Sequence, residues 1–293
     1  YSTNGGITWG ESLTLPITQF YAGDINYQNP TDIMGGAQDN GCIRTSNGGM
    51  IWFEENGGDG FYTMYDYQNP LRMYAASQNG GLVRSTNGGA SFLSGTSGLD
   101  LTYTNWSTPY IMDKTNPLIM YCGTYKIFKS TNGMASWTAI SPDMANAHIA
   151  NLGTVTTLDV SKSNPNVLYC GTDDANVWVT TNGGANWTKI NTGLPNRWVT
   201  RLAIHPDSAN ICYVTLSGYK IDTTGAHLFK TTNYGSTWIT KSGNLPDAPV
   251  NDIIIDPRKY SNLYLGTDYG VMISTNDGNE WSILGGGLPS SVP

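Results

Sequence analysis

A short polar motif that ends in an aromatic residue occurs seven times and constrains the fold more than any other feature. Each copy has two Ser or Thr residues, an Asn, a pair that includes glycine, and an aromatic residue three positions later. Successive aromatic residues are 43, 40, 45, 50, 51 and 43 positions apart. A period of this length is typical of supersecondary units that stack to bury a core. The aromatic residues are Trp9, Trp52, Phe92, Trp137, Trp187, Trp238 and Trp281.

A second pattern fills the sequence between these motifs. An Asn-Pro pair separates two apolar runs in four of the units, and His205-Pro206 and Asp256-Pro257 take its place in two more. Together with the hairpin at the polar motif, each unit therefore contains four short strands. We predict an all-β protein, a β-propeller of four-stranded blades with six complete blades and a partial seventh. The Asn-Pro pairs begin at Asn29, Asn69, Asn116 and Asn164.

The repeat also predicts where the blades begin and end within a single domain, 1–293. Residues 1–16 are expected to give the outer strand of a further blade. Three strands following Pro293 would complete that blade, so we expect a piece of a longer chain. The longest steps predict insertions at Asp143–Gly153 and Gly218–His227. The six complete blades are predicted at approximately 17–58, 59–100, 101–150, 151–195, 196–246 and 247–289.

The residue types in the polar motif explain how it closes a turn. A Ser or Thr hydroxyl and an Asn amide can bond to nearby backbone groups, and glycine supplies positive φ angles. The aromatic residue should then face inward, where it would bury roughly 150–250 Å² and contribute at most about 4–6 kcal/mol. Because Met134 stands where the other copies have glycine, we expect that turn to be distorted.

The motif resembles the Asp-box, or BNR repeat, written Ser-x-Asp-x-Gly-x-Thr-Trp, of β-propellers in sialidases, xyloglucanases and sortilin (Vps10-like) receptors. The resemblance covers the whole chain, with Asn in place of the usual Asp. The stretches 38–41 and 57–60 are also similar to segments of secreted Asp-box proteins from Bacteroidota-type bacteria. That likeness implies export, often with a C-terminal sorting domain, and implies no particular activity.

Composition excludes several classes of function. The net charge is −7 with 13% charged residues, so nucleic acid and anionic membranes are poor partners. No apolar run is long enough for a membrane span. We expect the cysteines to be buried free thiols, and the histidines, which lack metal-ligand spacing, to have surface or turn roles. These residues are Cys42, Cys122, Cys170, Cys212, His148, His205 and His227.

Strand order predicts which loops share a face. The loops between second and third strands lie with the loops between blades, opposite the polar motifs and Asn-Pro turns. Loop sequences differ between blades on that face, so we expect function there. Flat aromatic rings in these loops suit sugar stacking or peptide capture. The predicted ligand-binding residues are Gln38, Asp39, Asn40, Asp59, Trp106, Tyr125, Asp173, Asp174, Trp198, Asp268 and Tyr269.

Asp39 and Asp59 leave several roles open. They could be the acid and base of a glycoside hydrolase, or hold Ca²⁺ with Asn and backbone oxygens. They could also brace glycine-rich turns, which is the interpretation that we favour. No motif demands a cofactor, and no metal site is predicted from the spacing of Cys and His. The sialidase pattern is not matched, because Arg44 and Arg84 precede polar motifs at equivalent positions and therefore look structural.

The sequence thus favours an exported or cell-surface propeller that binds a glycan or a protein through one loop-built face. The alternatives are a glycoside hydrolase that uses Asp39 and Asp59, and a structural part of a larger surface assembly or multidomain chain.

Overall fold

The chain folds into six four-stranded antiparallel sheets in a computed structural model, which describes residues 3–4, 7–8, 18–149, 152–218 and 225–285. The only helix among these residues is a 3₁₀ turn at Gln78–Gly80. The prediction of an all-β propeller with six complete blades is confirmed. The strands are β1 Phe20–Ile25, β2 Ile33–Ala37, β3 Gly41–Thr45, β4 Phe53–Asn56, β5 Gly60–Tyr65, β6 Met73–Ser77, β7 Gly81–Ser85, β8 Leu93–Ser94, β9 Tyr110–Met112, β10 Met120–Gly123, β11 Ile127–Ser130, β12 Thr138–Ala139, β13 Val155–Val160, β14 Leu168–Thr172, β15 Val177–Thr180, β16 Thr188–Lys189, β17 Val199–Ile204, β18 Cys212–Leu216, β19 Leu228–Thr231, β20 Ile239–Thr240, β21 Val250–Ile255, β22 Leu263–Thr267, β23 Gly270–Ser274 and β24 Ser282–Ile283.

Strand order within every sheet follows the chain, so each sheet is a four-stranded meander. First strands of consecutive sheets lie side by side. Thr156 donates its hydroxyl to the Val199 carbonyl oxygen at 2.5 Å, and Thr200 does the same to Val250 at 2.5 Å. The backbones approach so closely at Gly36 that a Cβ there would lie 2.0 Å from the Phe61 carbonyl oxygen. Only glycine fits at this contact.

The core lies between successive sheets and is richest along their second strands. All five residues of β14 and all five of β18 are buried. The four cysteines are buried free thiols, as predicted. Burial raises the pKa of the Cys42 thiol to about 11, which keeps it protonated and unreactive near neutral pH.

The polar motifs form the turns between third and fourth strands, and we call them box turns. In the six that belong to complete blades, a buried Ser or Thr hydroxyl donates to the Asn side-chain oxygen at 2.8–3.0 Å. A backbone N–H four residues on donates to the same hydroxyl at 2.9–3.1 Å. The predicted closure by hydroxyl and amide is therefore confirmed. The hydroxyl-bearing residues are Thr45, Ser85, Ser130, Thr180, Thr231 and Ser274.

Met134 does not distort its box turn, contrary to the sequence-based expectation. It has a φ of 61° and its N–H donates to the Ser130 hydroxyl at 3.1 Å, as glycine does in the other copies. Its side chain is fully buried in the core cluster that contains Leu82 and Phe128. Burial of the thioether chain therefore offsets the unfavourable left-handed backbone.

The indole of a box tryptophan links its blade to the preceding one. The Nε1–H donates to a backbone carbonyl three residues after the previous box aromatic. The distances are 2.6 Å from Trp137 to Gly95, 2.8 Å from Trp187 to Ile140, 2.6 Å from Trp238 to Ile190 and 2.9 Å from Trp281 to Lys241.

Two box aromatics depart from this pattern. Trp52 is 37% exposed and contacts the Phe20 ring at 5.7 Å, so the expectation that it faces inward is wrong. The ring of Phe92 has no N–H to donate, and at the interface between blades 1 and 2 the side chain of Arg44 makes the link instead. Its Nη1 donates to the Gly88 carbonyl oxygen at 2.7 Å while its Nε donates to Asp32 at 2.7 Å. The sequence-based interpretation of Arg44 as a structural residue agrees with these contacts.

Several sequence-based predictions fall on residues outside the described ranges. They include the outer strand at 1–16 and the end of the last blade at 286–289. The seventh blade and the blade boundaries therefore stay predictions. Among the described residues, no helix has the length and apolar character that a bilayer span requires.

We expect Trp137→Phe to lower the free energy of unfolding by about 1–3 kcal/mol, because the buried Gly95 carbonyl loses its donor. Chemical denaturation followed by circular dichroism measures this difference. Trp198→Phe is the matched control, since Trp198 is 38% exposed, and it should change stability by less than about 0.5 kcal/mol. Equal effects of the two substitutions would contradict a structural role for the indole hydrogen bond.

Candidate functional site

A cleft of about 740 Å³ opens on the face opposite the box turns. Three connections between blades and one loop between a second and a third strand build it. These segments are the β8–β9, β12–β13 and β16–β17 connections and the β6–β7 loop. The cleft is lined by Asn79, Thr102, Tyr103, Thr104, Asn105, Trp106, His148, Leu152, Thr154 and Trp198.

Aromatic rings dominate the exposed lining of this cleft. Trp106 is 51% exposed and rests edge-on against the buried Phe61 ring at 6.2 Å. Tyr103 stacks on His148, with ring centroids 3.9 Å apart and an interplanar angle of 1°. Trp198 lies on the opposite segment and is also exposed. Solvent-facing rings held by buried neighbours are suited to stacking against a flat ligand surface.

Hydrogen bonds beneath the cleft fix its polar lining. Asn105 Nδ2 donates to the Thr154 hydroxyl at 3.0 Å. Asp173 is buried below and accepts the N–H groups of Gly153 at 2.7 Å and Thr154 at 2.9 Å. The Trp106 carbonyl oxygen accepts the Asn79 N–H at 3.0 Å. The cleft therefore has a rigid floor of amide and hydroxyl groups.

Tyr125 and Asp100 support the aromatic wall from behind. The Tyr125 hydroxyl donates to Asp100 Oδ2 at 2.5 Å, and its ring packs edge-on against Tyr103 at 5.6 Å. Hydrogen bonds from Thr102 and from Tyr125 lower the pKa of Asp100 to about 2. This carboxyl group is thus ionised at neutral pH and is poorly suited to act as a general acid.

Asp39 and Asp59 lie together on the same face, Asp39 in the β2–β3 loop of blade 1 and Asp59 in the β4–β5 connection to blade 2. The Asp39 N–H donates to Asp59 Oδ1 at 2.8 Å, and the Asp59 N–H donates to Gln78 Oε1 at 3.0 Å. Asp39 has a φ of 59°. Gln38 accepts the Tyr21 hydroxyl at 3.0 Å. One carboxylate thus holds the turn that carries the other, while their predicted catalytic and calcium-binding roles stay predictions.

The other predicted residues fall in two further places. Asp174 lies in the β14–β15 turn and accepts the Asn146 N–H at 2.6 Å, which ties this turn to the 143–153 insertion. Asp268 accepts the Asn251 side-chain amide at 2.8 Å, and its neighbour Tyr269 is exposed. The structure therefore brings Trp106 and Trp198 into one cleft, with Asp173 and Tyr125 behind them.

Trp106 and Trp198 are the only two of the eleven predicted residues that line the cleft. Asn40 donates its side-chain amide to the Gln38 carbonyl oxygen at 2.8 Å and so belongs to the Asp39 turn.

Sequence reasoning missed Tyr103, Leu152 and His148 as cleft residues. His148 and Leu152 belong to the insertion predicted from the long repeat step, and that insertion was the only available signal. His205 has the expected turn role, since its Nδ1 accepts the Asp207 N–H at 3.2 Å. The expectation for His227 was wrong, because it is buried, with Nε2 at 2.8 Å from Asp247.

No group of three His, Cys, Asp or Glu side chains with metal-binding geometry occurs among the described residues.

Neither a protein-family model nor a curated protein matches this sequence significantly. Solved structures do. The chain is similar to a GH74 enzyme from Niastella koreensis, with 20% identity and a TM-score of 0.66, over 90% of this chain and 45% of that one. It is similar to YCF48 from Cyanidioschyzon merolae, with 14% identity and a TM-score of 0.67, over 92% and 85%. It is also similar to the extracellular domain of BT4673 from B. thetaiotaomicron, with 18% identity and a TM-score of 0.63, over 94% and 34%.

At these identities the likeness shows the β-propeller fold alone. The chain spans less than half the length of the GH74 enzymes it resembles, covering 45% and 36% of two of them. A YCF48 structure with a bound D1 peptide is similar at 13% identity and a TM-score of 0.62, over 90% of this chain and 80% of that one. Propellers of this shape therefore include both glycoside hydrolases and a peptide-binding protein.

We expect Tyr125→Phe to raise the pKa of Asp100 from about 2 toward its ordinary value of 3.8. The phenol hydrogen bond favours the ionised carboxylate, so its loss favours the protonated form. A carboxyl carbon NMR titration measures the change, with Tyr269→Phe as the matched control. An unchanged Asp100 titration would contradict the hydrogen bond from Tyr125 to Asp100 that is inferred to hold the Tyr125 ring against Tyr103.

Proposed function

We propose that this chain is an exported or cell-surface module that binds a neutral glycan in the cleft between Trp106 and Trp198. The observation that carries this proposal is the composition of the cleft lining. It combines exposed flat rings with amide and hydroxyl groups, and it contains no Asp, Glu, Lys or Arg among the described residues. Rings stack on the apolar faces of sugars, and amides and hydroxyls exchange hydrogen bonds with their hydroxyl groups.

The shape of the cleft supports a glycan over a protein ligand. A stable protein interface buries about 1,200–2,000 Å² of total surface. Small-ligand sites are concave and hold about 300–1,000 Å³, a range that includes this cleft of about 740 Å³. A few sugar units would fill it, with one ring on Trp106 and another on Trp198.

Binding without cleavage is the second part of the proposal. Glycoside hydrolysis needs two carboxyl groups on either side of the scissile bond. Asp173, below the cleft floor, is buried and already accepts hydrogen bonds from Gly153 and Thr154. Asp59 Oδ1 is taken up by the Asp39 N–H. The favoured role of Asp39 and Asp59 is therefore to brace their turns, and the hydrolase is the alternative that the experiment must exclude.

We expect Trp106→Ala and Trp198→Ala each to weaken polysaccharide binding by about 5- to 30-fold, because each removes a stacking surface. Retention on a panel of immobilised neutral polysaccharides measures binding, and a reducing-end assay on the same samples measures cleavage. Tyr269→Ala is the matched control, since Tyr269 is an exposed aromatic residue on the same face outside the cleft.

Release of reducing ends that disappears in Asp39→Asn and Asp59→Asn would replace this proposal with a glycoside hydrolase. Absence of both retention and release would refute glycan recognition and favour a protein partner or a structural role in a surface assembly.

A further inference from the structure

Asp24 and Asp159 occupy equivalent positions in the first strands of two blades, at the end of the sheets that carries the box turns. Asp24 is paired in register with Met34 at the second residue of β2, and Asp159 with Tyr169 at the second residue of β14. The two sites can therefore be compared atom by atom.

Both carboxylates accept the same backbone hydrogen bonds. Asp24 accepts the N–H of Ile25 at 2.9 Å and that of Tyr65, in the next blade, at 2.9 Å. Asp159 accepts the equivalent N–H groups of Val160 at 2.9 Å and Ile204 at 2.9 Å. The two side chains are therefore held in the same orientation.

A lysine forms an ion pair with only one of the two carboxylates. Lys114 Nζ lies 2.6 Å from Asp159 Oδ1, the oxygen that also accepts the Val160 N–H. Asp24 has no cationic partner among the residues that the structure describes. Burial raises the pKa of Asp24 against the opposing effect of hydrogen bonds from the Tyr65 and Ile25 N–H groups and from the Tyr27 side chain, so these hydrogen bonds do not fully offset the cost of burying the charge.

The space beside Asp24 is a cavity of about 270 Å³, which the Lys114–Asp159 ion pair also lines. With one lysine and two carboxylates, the cavity keeps one negative charge that no cation lining it balances. Tyr27 and Tyr67 contribute rings to it, and Met64 and Met112 contribute thioether chains. Tyr67 is held by a hydrogen bond from its hydroxyl to the Asp113 carbonyl oxygen at 3.2 Å. The charge of Asp24, followed by burial and a hydrogen bond to Asp24, raises the pKa of Tyr27, so the Tyr27 hydroxyl lies within the field of that carboxylate.

Rings and thioethers around a carboxylate form a suitable environment for an ammonium group. Cations bind over aromatic faces, and methionine packs against flexible alkyl chains. A charged N–H to carboxylate bond supplies most of the affinity. The cavity is smaller than the sites that hold drug-sized molecules, so it suits a single alkylammonium group.

We propose that Asp24 binds the ammonium group of a ligand, a small alkylamine or a lysine side chain of a partner, in the cavity formed with Tyr27 and Tyr67. The ligand nitrogen would sit on Asp24 as Lys114 Nζ sits on Asp159. This site lies at the opposite end of the sheets from the glycan cleft, and it does not depend on the proposed glycan function.

The test titrates the 293-residue chain by NMR with n-butylamine hydrochloride, with a blocked peptide that carries one lysine, and with n-butanol as the uncharged control. We expect both cations to shift resonances around Asp24 and the alcohol not to do so. If the peptide binds at least about tenfold more tightly than butylamine, the natural ligand is a lysine side chain of a partner. If the two affinities are similar, the natural ligand is a free amine.

Asp24→Asn should weaken cation binding at least about tenfold, because it removes the charge and keeps the side-chain shape. Asp252→Asn is the matched control. Asp252 also lies on a first strand and is already paired with Arg201 at 2.9 Å, outside this cavity, so it should change affinity by less than about twofold.

Tyr27→Leu provides a second variant that should fold normally, since Tyr27 is 65% exposed, and it should weaken binding about two- to fivefold. Failure of both cations to bind would overturn the proposal. Unchanged cation binding in Asp24→Asn would also overturn it. If Asp24→Asn does not fold, unchanged cation binding in Tyr27→Leu would overturn it instead. Polysaccharide retention by the same variants should equal that of the parent chain, which separates this result from the glycan test.

Discussion

The hydrogen bond between a box indole and the preceding blade is the interaction on which the assembly of blades depends. In the four bonds of this kind among the described residues, the acceptor is the residue three positions after the previous box aromatic, at Gly95, Ile140, Ile190 and Lys241. The same short motif thus closes a turn within one blade and fixes its position against another. The same residues consequently specify local and long-range structure. For this reason the blades can stack in the same way although the spacing between box aromatics varies from 40 to 51 residues.

Most of the fold follows from the sequence because it is periodic. Strand number, strand order and turn chemistry each depend on residues within one unit, as the hydroxyl and amide bonds of Thr45 and Asn47 illustrate. The failures concern contacts between units. Met134 adopts a glycine-like φ because its side chain is buried against another blade, and the exposure of Trp52 depends on what lies beside blade 1. No pattern within a single unit contains that information.

The candidate site also has a part that the sequence predicts and a part that it does not. Strand order alone predicts the face on which Trp106 and Trp198 lie, and their loops differ from blade to blade. The stacking of Tyr103 on His148 depends on the path of the 143–153 insertion, which has no counterpart in the other units. His227 was misjudged for a related reason. Its Nε2 lies 2.8 Å from Asp247, which is in the β20–β21 connection, and sequence spacing does not predict that contact.

Repetition also makes departures from the pattern informative. When a charged side chain has a cationic partner in one blade and the equivalent side chain in another blade has none, the needs of folding account only for the paired one. The backbone hydrogen bonds of Asp159 and Asp24 serve the fold equally, so the fold does not require that one charge be neutralised and the other not. The loop face offers a similar contrast, since Trp106 stays exposed whereas the box residues Trp137 and Trp281 are buried. An exposed ring or an unpaired charge adds little to the stability of the fold, so a departure of this kind is compatible with a role in binding.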